Sequence, residues 1–379
     1  MSSQTATFQQ RLAVLDAVPD TPALVLDVDA TQRNIDEMQA IANAGGKALR
    51  PHAKTHKILE VARMQLAAGA VGLQVAKLGE AEVFLASGVT DIFVGYPIVG
   101  AAKIERLLAL AEQVRISTSL DDIAVAEPIG RAAAARGLTI DVLLEINTGL
   151  DRTGVLPEDA VALAQRVAAV PGLRIKGIMT HEGQALPRSA DEATLARETA
   201  EACARMVAVA EAIRAAGISC PEVSLGTTAT ARFDAQAPGV TEIRPGTYVF
   251  YDSTMAAHHA ARLEDTAVWA VATVVSRPSA DRAVVDAGSK VLSSDRINQK
   301  DAPSMVGRLV DRPDHHVVRV MEEHGILALP PGSDLRIGDR VAIVPAHICA
   351  AINLADSVLV AQRGAIVDEW RVAARGKVR

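Results

Sequence analysis

The sequence has 379 residues, of which 49% are hydrophobic, and this is enough for one large domain or two ordinary ones with buried cores. Its 39 basic and 45 acidic residues leave a net charge of −6, so the chain lacks the positive field that attracts nucleic acid or an anionic membrane, and a small molecule is the favoured partner. Three scattered cysteines, the absence of a signal-peptide pattern and apolar runs too short for a membrane helix predict a protein of the reducing cytoplasm with no membrane partner.

Short apolar runs alternate with longer amphipathic stretches over the first two thirds of the chain. The amphipathic stretches are rich in alanine, leucine, glutamate and arginine at helical spacing, so each run is predicted to be a strand and each stretch a helix. The eight predicted strands span residues 23–27, 48–52, 72–75, 92–95, 115–119, 142–147, 175–181 and 223–226. Eight such alternations predict an α/β fold, a (β/α)8 barrel of the TIM type, over residues 20–252.

The pattern changes after Tyr251, where β-branched runs are separated by turns and long helical patterns are missing. This texture predicts a second, antiparallel β-domain over residues 253–379, with residues 1–19 as a segment that packs on it. Its predicted strands span residues 267–276, 283–286, 316–322, 340–344, 358–362 and 366–372.

Reactive side chains of a barrel gather at the carboxyl ends of its strands, and here those ends are polar. The second predicted strand ends in the segment 50–57, Arg-Pro-His-Ala-Lys-Thr-His-Lys. A lysine in such a place becomes a Schiff-base nucleophile if its ammonium is partly desolvated or lies near other cations. For Lys54, the candidate neighbours of that kind are Arg50, His52 and His56. The alternative is that Lys54 and Lys57 are solvated charges on a turn.

A second polar segment, Gly226, Thr227 and Thr228, follows the last predicted barrel strand, and Tyr248 comes soon after it. Backbone N–H groups and hydroxyls at this end of a barrel commonly bind phosphate. Glycine and threonine after a strand are more often only a turn, so the segment alone leaves both interpretations open.

With these segments in view, the chain resembles the fold-type III enzymes that depend on pyridoxal 5′-phosphate (PLP), in the group of D-threonine aldolase and D-serine dehydratase, relatives of alanine racemase. The likeness runs from Thr21 to Gly376, and the segment 50–57 is its most specific part. It implies that Lys54 carries PLP as a Schiff base and that Arg152 faces the pyridine nitrogen, which makes the ring a weaker electron sink. The resemblance also implies that Gly226, Thr227 and Tyr248 contact the phosphate. Thr228 is a further candidate because it directly follows Thr227.

His347 and Cys349 lie two residues apart near the end of the chain, so both would point to one side of an extended segment. Two residues alone are a weak metal signal and are more often structural. The resemblance, however, implies a divalent metal at this place, held by His-x-Asp in typical aldolases and by His-x-Cys in typical dehydratases. A thiolate favours zinc, with manganese or magnesium as alternatives.

The resemblance implies a lyase acting on a β-hydroxy-D-amino acid, and two reactions fit it. Retro-aldol cleavage to glycine and an aldehyde is favoured because more segments are similar to the aldolases. Dehydration of D-serine, D-threonine or 3-hydroxy-D-aspartate is the alternative, since His181 stands where aldolases tend to have tyrosine and Cys349 is typical of dehydratases. We take Lys54, His52 and His181 as the candidate catalytic residues.

Two other functions are disfavoured by the predicted β-domain. PLP-binding proteins that act in cofactor homeostasis without catalysis are small barrels that lack such a domain. A racemase would need a tyrosine base from the β-domain and has no use for His347 and Cys349. The resemblance also implies a homodimer, in which the barrel of one subunit faces the β-domain of the other.

Overall fold

The computed structural model describes residues 10–185, 191–297 and 304–379, and the chain divides into two compact units. The first unit contains the residues up to Asp36 together with Thr55–Ile58 and Thr247–Gly376. The second contains Glu37–Lys54, Leu59–Gly246 and Lys377–Arg379. Among the described residues, none of the helices has the length and apolar character that spanning a membrane would require.

The second unit is built on eight parallel strands. They are β2 (Ala48–Leu49), β3 (Leu73–Val75), β4 (Asp91–Val94), β5 (Arg115–Leu120), β6 (Ile140–Glu145), β7 (Leu173–Met179), β8 (Glu222–Leu225) and β9 (Glu242–Ile243). Their order is β2-β9-β8-β7-β6-β5-β4-β3. β2 and β3 are the two outer strands, and a parallel bridge between His52, just after β2, and Gln74, within β3, closes the ring. The predicted TIM-type barrel is confirmed.

The first unit contains one nine-stranded sheet. Its strands are β1 (Ala23–Asp27), β10 (Val268–Ser279), β11 (Arg282–Val285), β12 (Gly307–Leu309), β13 (His316–Val320), β14 (Gly325–Ala328), β15 (Arg340–Pro345), β16 (Ser357–Gln362) and β17 (Ala365–Arg371). The order is β11-β14-β13-β12-β15-β10-β1-β16-β17. The pairing of β1 with β16 is parallel and the other pairings of described strands are antiparallel, which confirms the predicted antiparallel β-domain.

Twelve α-helices lie within the described ranges, and most follow strands of the barrel. They are α1 (Val14–Ala17), α2 (Val28–Ala44), α3 (Leu59–Ala68), α4 (Leu78–Phe84), α5 (Ala101–Ala111), α6 (Ile123–Ala135), α7 (Ala160–Ala168), α8 (Glu192–Ala215), α9 (Ala231–Asp234), α10 (Ser253–Ala257), α11 (Ser289–Leu292) and α12 (Ile348–Leu354). Short 3-10 helices span Leu85–Ser87, Pro157–Asp159, Thr247–Val249 and Leu263–Asp265.

One predicted barrel strand belongs to the other sheet. The run Ala23–Asp27 forms β1, which pairs with β10 and β16 in the nine-stranded sheet. The barrel takes its eighth strand from β9, a two-residue strand that the sequence analysis missed. A short apolar run buried on both faces has the same pattern in either sheet, so the sequence pattern could not assign β1. The predicted count of eight barrel strands was right, but their membership was wrong.

Helix α8 is the longest helix of the described residues, and its sequence fixes both its start and its buried face. The side chain of Asp191 accepts the N–H of Thr194 and so caps the start of the helix. One face of α8 is buried through residues at helical spacing: Leu195, Thr199, Ala202, Cys203, Met206, Val209, Ala210 and Ile213. Burial of this face places the thiol of Cys203 inside the second unit, where it is 3% exposed.

Candidate active site

Lys54 lies just beyond β2, at the carboxyl end of the barrel strands, and is partly buried. Its backbone N–H donates to Nδ1 of His52 over 3.5 Å. Burial lowers the pKa of His52 well below its usual value, and the positive charges of Lys54 and Arg244 add to this shift. The imidazole of His52 is therefore neutral at pH 7, so the prediction that it provides a cation beside Lys54 was wrong.

His181 follows β7 and joins the same group of residues. Its ring forms a hydrogen bond with the backbone of Gly226, while burial and the charges of Lys54 and Arg152 lower its pKa to about 3. A neutral imidazole can accept a proton, whereas the lysine and arginines around it attract an anion. The structure thus brings together Lys54, His52, His181 and Arg152, all of which the sequence analysis had singled out.

Arg244 is a central charge of this group that the sequence analysis missed. It is 3% exposed and donates to Oγ of Ser224 over 2.7 Å and to Oε1 of Gln74 over 3.0 Å. A third bond reaches the backbone oxygen of Thr180 over 2.5 Å. The available signal was the run Glu242-Ile243-Arg244, since Arg244 directly follows β9, the strand that was overlooked.

The loop from Gly226 to Thr228 begins where two backbone segments of the barrel approach closely. Gly226 has a φ of +126°, and a Cβ at this position would lie 2.8 Å from the backbone nitrogen of Arg244. Only glycine fits there. Thr227 is fixed through its backbone N–H, which donates to Oγ1 of Thr230 over 3.0 Å, and Thr228 is partly exposed.

Arg152 lies in the loop after β6 and is the most accessible of the candidate cofactor residues, with 54% of its side chain exposed. Its Nη2 is 3.9 Å from Oε1 of Glu145, a long ion pair that leaves the guanidinium free to take a closer partner. Glu145 is held by the hydroxyl of Thr153, which donates to it over 2.6 Å.

Three of the candidate residues belong to the first unit. Tyr248 lies in the 3-10 helix Thr247–Val249 and is fully buried. His347 and Cys349 lie at the start of α12, where His347 is the capping residue and Cys349 is in the first turn. The prediction of a wholly extended segment was therefore wrong: the chain turns into a helix after His347, because the apolar residues Ile348, Ala351 and Ile352 are buried at helical spacing.

The imidazole of His347 is backed by a carboxylate that the sequence analysis did not identify as part of a site. Nδ1 of His347 is 3.2 Å from Oδ2 of Asp252, which is fully buried. Cys349 also interacts with His347, and Sγ of Cys349 is 3.2 Å from Oγ1 of Thr55. The neighbouring Cys349 and Asp252 raise the pKa of His347 to about 11, so the place stabilises a positive charge. Imidazole, thiolate and a carboxylate behind the imidazole form a donor set that suits zinc.

Lys57, the alternative lysine, is placed differently from Lys54. It is 6% exposed, and its ammonium group donates to Oδ1 of Asn353 over 2.7 Å within the first unit. A lysine whose amine is already bonded and buried is a poorer nucleophile than one beside neutral imidazoles. The geometry therefore favours Lys54.

The low pKa of His181 has a consequence for stability. In the unfolded cofactor-free protein this histidine binds a proton near pH 6.5, whereas in the folded protein it stays neutral to about pH 3. Folding stability is therefore lost as the pH falls below 6.5, by at most about 1.4 kcal/mol per pH unit for this one group. We expect His181→Gln to lose stability less steeply between pH 6.5 and 5, measured by urea unfolding. Identical pH slopes for the two proteins would contradict a neutral His181 in the folded protein.

Comparison with known proteins covers nearly the whole chain. The family model described as alanine racemase, N-terminal domain, matches residues 26–254, and the model described as putative serine dehydratase domain matches residues 267–361. A D-threonine aldolase from Arthrobacter sp. is 34% identical over 94% of this chain and 93% of its own. The D-threo-3-hydroxyaspartate dehydratase of Delftia sp. strain HT23 is 37% identical over 87% of this chain and 91% of its own.

A solved structure agrees with these matches. The crystal structure of D-threonine aldolase from Filomicrobium marinum superposes with a TM-score of 0.87 and 36% identity, covering 95% of this chain and 97% of the other. Likeness at this level extends to both units, so the resemblance found in the sequence is confirmed.

Proposed function

Because the chain belongs to the fold-type III PLP-dependent enzymes, in the group that contains D-threonine aldolases and D-threo-3-hydroxyaspartate dehydratases, we propose that it is a PLP- and divalent-metal-dependent lyase of β-hydroxy-D-amino acids. The observation that carries this proposal is the donor set of His347 and Cys349 with Asp252 behind the imidazole. A metal held there would act as a Lewis acid on the β-hydroxyl oxygen of the substrate. That hydroxyl is the group that distinguishes a β-hydroxy-amino acid from an ordinary amino acid.

The barrel residues fit PLP on three independent grounds. Lys54 lies next to a neutral imidazole and makes no carboxylate ion pair among the described residues, Gly226 lets the loop 226–228 pack closely on the backbone of Arg244 at the carboxyl end of the barrel, and Arg152 has an exposed guanidinium. We assign Lys54 to hold the cofactor, Arg152 to the ring nitrogen, and the loop 226–228 with Tyr248 to the phosphate. When bound, PLP supplies an electron sink for the substrate's α-carbon.

The protein's own groups then have separate tasks. In retro-aldol cleavage the ammonium of Lys54 would give the α-carbon the proton that replaces the broken bond to the β-carbon, whereas in dehydration its amine would take the α-proton. His52 beside it stays neutral and so adds no charge. Neutral His181 is the candidate acceptor for the β-hydroxyl proton, because its low pKa keeps it in the basic form at neutral pH. His347 and Cys349 would hold the metal, which we propose to be zinc because one donor is a thiolate.

Two bond cleavages are open to such a site, and we propose retro-aldol cleavage to glycine and an aldehyde as the principal one. The proton acceptor at His181 is what this reaction requires, since the hydroxyl must lose its proton as the bond between the α- and β-carbons breaks. Dehydration to a 2-oxo acid and ammonia is the second candidate, and Cys349 favours it because His-x-Cys is typical of dehydratases.

Product analysis separates the two reactions. The holoenzyme, supplied with zinc, is incubated in parallel reactions with D-threonine and with 3-hydroxy-D-aspartate. The products are identified by chromatography and mass spectrometry. Glycine in amounts equal to the aldehyde supports the aldolase proposal. A 2-oxo acid in amounts equal to ammonia shows that the reaction is dehydration instead. If neither set of products forms, the assignment to β-hydroxy-D-amino acids is overturned.

We also infer a homodimer and a cytoplasmic location. The dimer is supported by the family, and the location by the few cysteines, which are all free in the described residues. Sedimentation velocity and cell fractionation test these two proposals. A fully active monomer would contradict the dimer.

A further inference from the structure

A buried pair of carboxyl groups lies next to Thr230 in the second unit and has no part in the proposed chemistry. Glu182 is 1% exposed and Asp234 is fully buried, and their carboxyl groups are in hydrogen-bond contact. Cys203, on α8, donates from Sγ to Oδ1 of Asp234 over 3.3 Å. The potential ligand atoms of the three side chains all lie within 4.8 Å of one another. Two acids and a thiol therefore share one interior volume.

Two carboxylates this close cannot both be ionised away from water. Within the described part of the chain, Oε1 of Glu182 and Oδ2 of Asp234 receive no hydrogen bond from an N–H or O–H group, so a proton kept by one of the acids is the missing donor. Burial, and then Asp234, raise the pKa of Glu182 well above its usual value. Burial raises the pKa of Asp234 only to about 6, because hydrogen bonds from Cys203 and Glu182 partly stabilise its anion. The thiol of Cys203 donates to Asp234 and so favours the ionised form of this acid, which leaves the proton on Glu182.

The protonated acid is connected to the candidate phosphate loop through one hydroxyl. Oγ1 of Thr230 donates to Oε2 of Glu182 over 3.2 Å and accepts the backbone N–H of Thr227 over 3.0 Å. The N–H of Thr230 donates in return to Oγ1 of Thr227 over 3.3 Å. Oε2 of Glu182, at 3.2 Å, is nearer to the Thr230 hydroxyl than the backbone oxygen of Thr227, at 3.4 Å. The geometry therefore favours a hydroxyl proton directed to Glu182, with the oxygen of Thr230 left to accept from Thr227.

Glu182 is connected to the chemistry on its other side as well. It directly follows His181, whose ring forms a hydrogen bond with the backbone of Gly226. The orientation of Glu182 therefore fixes the chain at His181 and, through Thr230, the loop that begins at Gly226. A neutral Glu182 can do this without adding a second negative charge beside a bound phosphate, which would be repelled.

We propose that Glu182 is a positioning residue that works as a neutral acid: it donates to Asp234, accepts from Thr230, and so holds the loop 226–228 in the form that takes the phosphate of the cofactor. The inference rests on the proposed PLP site, and it adds residues that make no contact with the reacting atoms. Glu182 must be protonated for this role, because an ionised carboxylate could not donate a hydrogen bond to Asp234.

A second explanation of the same three side chains is a buried metal site made by Glu182, Cys203 and Asp234. A metal would require an ionised Glu182 and a thiolate. The structure favours the proton, because Sγ of Cys203 donates a hydrogen bond and burial raises the pKa of its thiol. The two explanations predict opposite results for the same variants.

The experiment compares Glu182→Gln with Glu182→Leu. Glutamine can donate to Asp234 and accept from Thr230 as the neutral acid does, whereas leucine has a similar volume and neither bond. PLP and pyridoxal, which lacks the phosphate, are titrated spectrally into cofactor-free protein. We expect Glu182→Gln to bind PLP within about threefold of the parent protein, and Glu182→Leu to bind it about ten- to a hundredfold more weakly, with pyridoxal affinity unchanged. Thr230→Val, which removes only the connecting hydroxyl, should show the same phosphate-selective loss.

Infrared spectroscopy gives a readout that does not depend on the cofactor. The carbonyl stretch of protonated Glu182 should be present at pH 7 in the cofactor-free parent protein and lost in Glu182→Gln, whereas a band from Glu222, whose pKa burial raises to about 7, should remain in both. Absence of the Glu182 band from the parent, or a Glu182→Gln variant as poor as Glu182→Leu, overturns the neutral acid. Stoichiometric metal that is lost in Cys203→Ser also overturns it. Equal losses of PLP and pyridoxal affinity in Thr230→Val overturn the link to the phosphate. If the parent protein does not bind PLP at all, the proposed function fails as well, and the infrared result still reports separately on the acid.

Discussion

Lys54→Ala is expected to abolish the absorbance of bound PLP and to lower lyase turnover by at least about a thousandfold, because the amine both holds the cofactor and moves the proton at the α-carbon. In the parent protein, borohydride reduction should fix the cofactor permanently to one peptide. Peptide mapping by mass spectrometry should place the modified residue at Lys54, where the lysine neighbours the neutral imidazole of His52.

Two control variants separate the amine from its charge. Lys54→Arg keeps the positive charge near His52 and His181 but cannot act as a nucleophile at neutral pH, so it should fail as completely as Lys54→Ala. Lys57→Gln keeps a donor for Asn353 and should retain the fixed cofactor. A reduced adduct at Lys57, or activity restored by Lys54→Arg, would contradict the assignment.

Much of the fold could be predicted because its signals are local. The six strands predicted after Tyr251 correspond to β10, β11, β13, β15, β16 and β17, since β-branched runs between turns are a short-range pattern. The errors concern partners, which are long-range. β1 joins strands more than 240 residues away in the sequence, as in the pairing of Ala23 with Val271, and nothing within its five residues indicates that choice. The two residues of β9 are too few for any periodicity.

The candidate site divides in the same way. Lys54, His181 and Gly226 could be found because each follows an apolar run, and the ends of barrel strands meet at one edge. Arg244 could not, because the strand before it was not recognised. Asp252 was also missed: its partners, His347 and the backbone of Ile348, are about 95 residues further on, and its own neighbours suggest only a helix cap.

Removal of the metal is expected to stop turnover without releasing PLP. Lys54, Arg152 and the loop 226–228 belong to the second unit, whereas His347 and Cys349 belong to the first, so the two sets of contacts come from different parts of the chain. Dialysis against a chelator should reduce lyase activity about a hundred- to a thousandfold, the effect of losing several kcal/mol of Lewis-acid stabilisation. The absorbance of bound cofactor should stay nearly the same, and added zinc should restore activity.

Cys349→Ala should have the same effect as the chelator, because a single imidazole rarely holds the ion, while Cys220→Ala removes a buried free thiol elsewhere and should keep both metal and activity. Cys349→Asp retains an anionic donor but replaces sulfur with oxygen, so the metal preference should move from zinc toward manganese or magnesium.

Asp252→Asn keeps an oxygen to cap α10 but loses the negative charge behind His347, and should weaken metal binding about ten- to a hundredfold. Metal content measured by mass spectrometry alongside turnover decides the matter. Full turnover by metal-free protein would return His347 and Cys349 to a structural role and remove the main support for a β-hydroxy substrate.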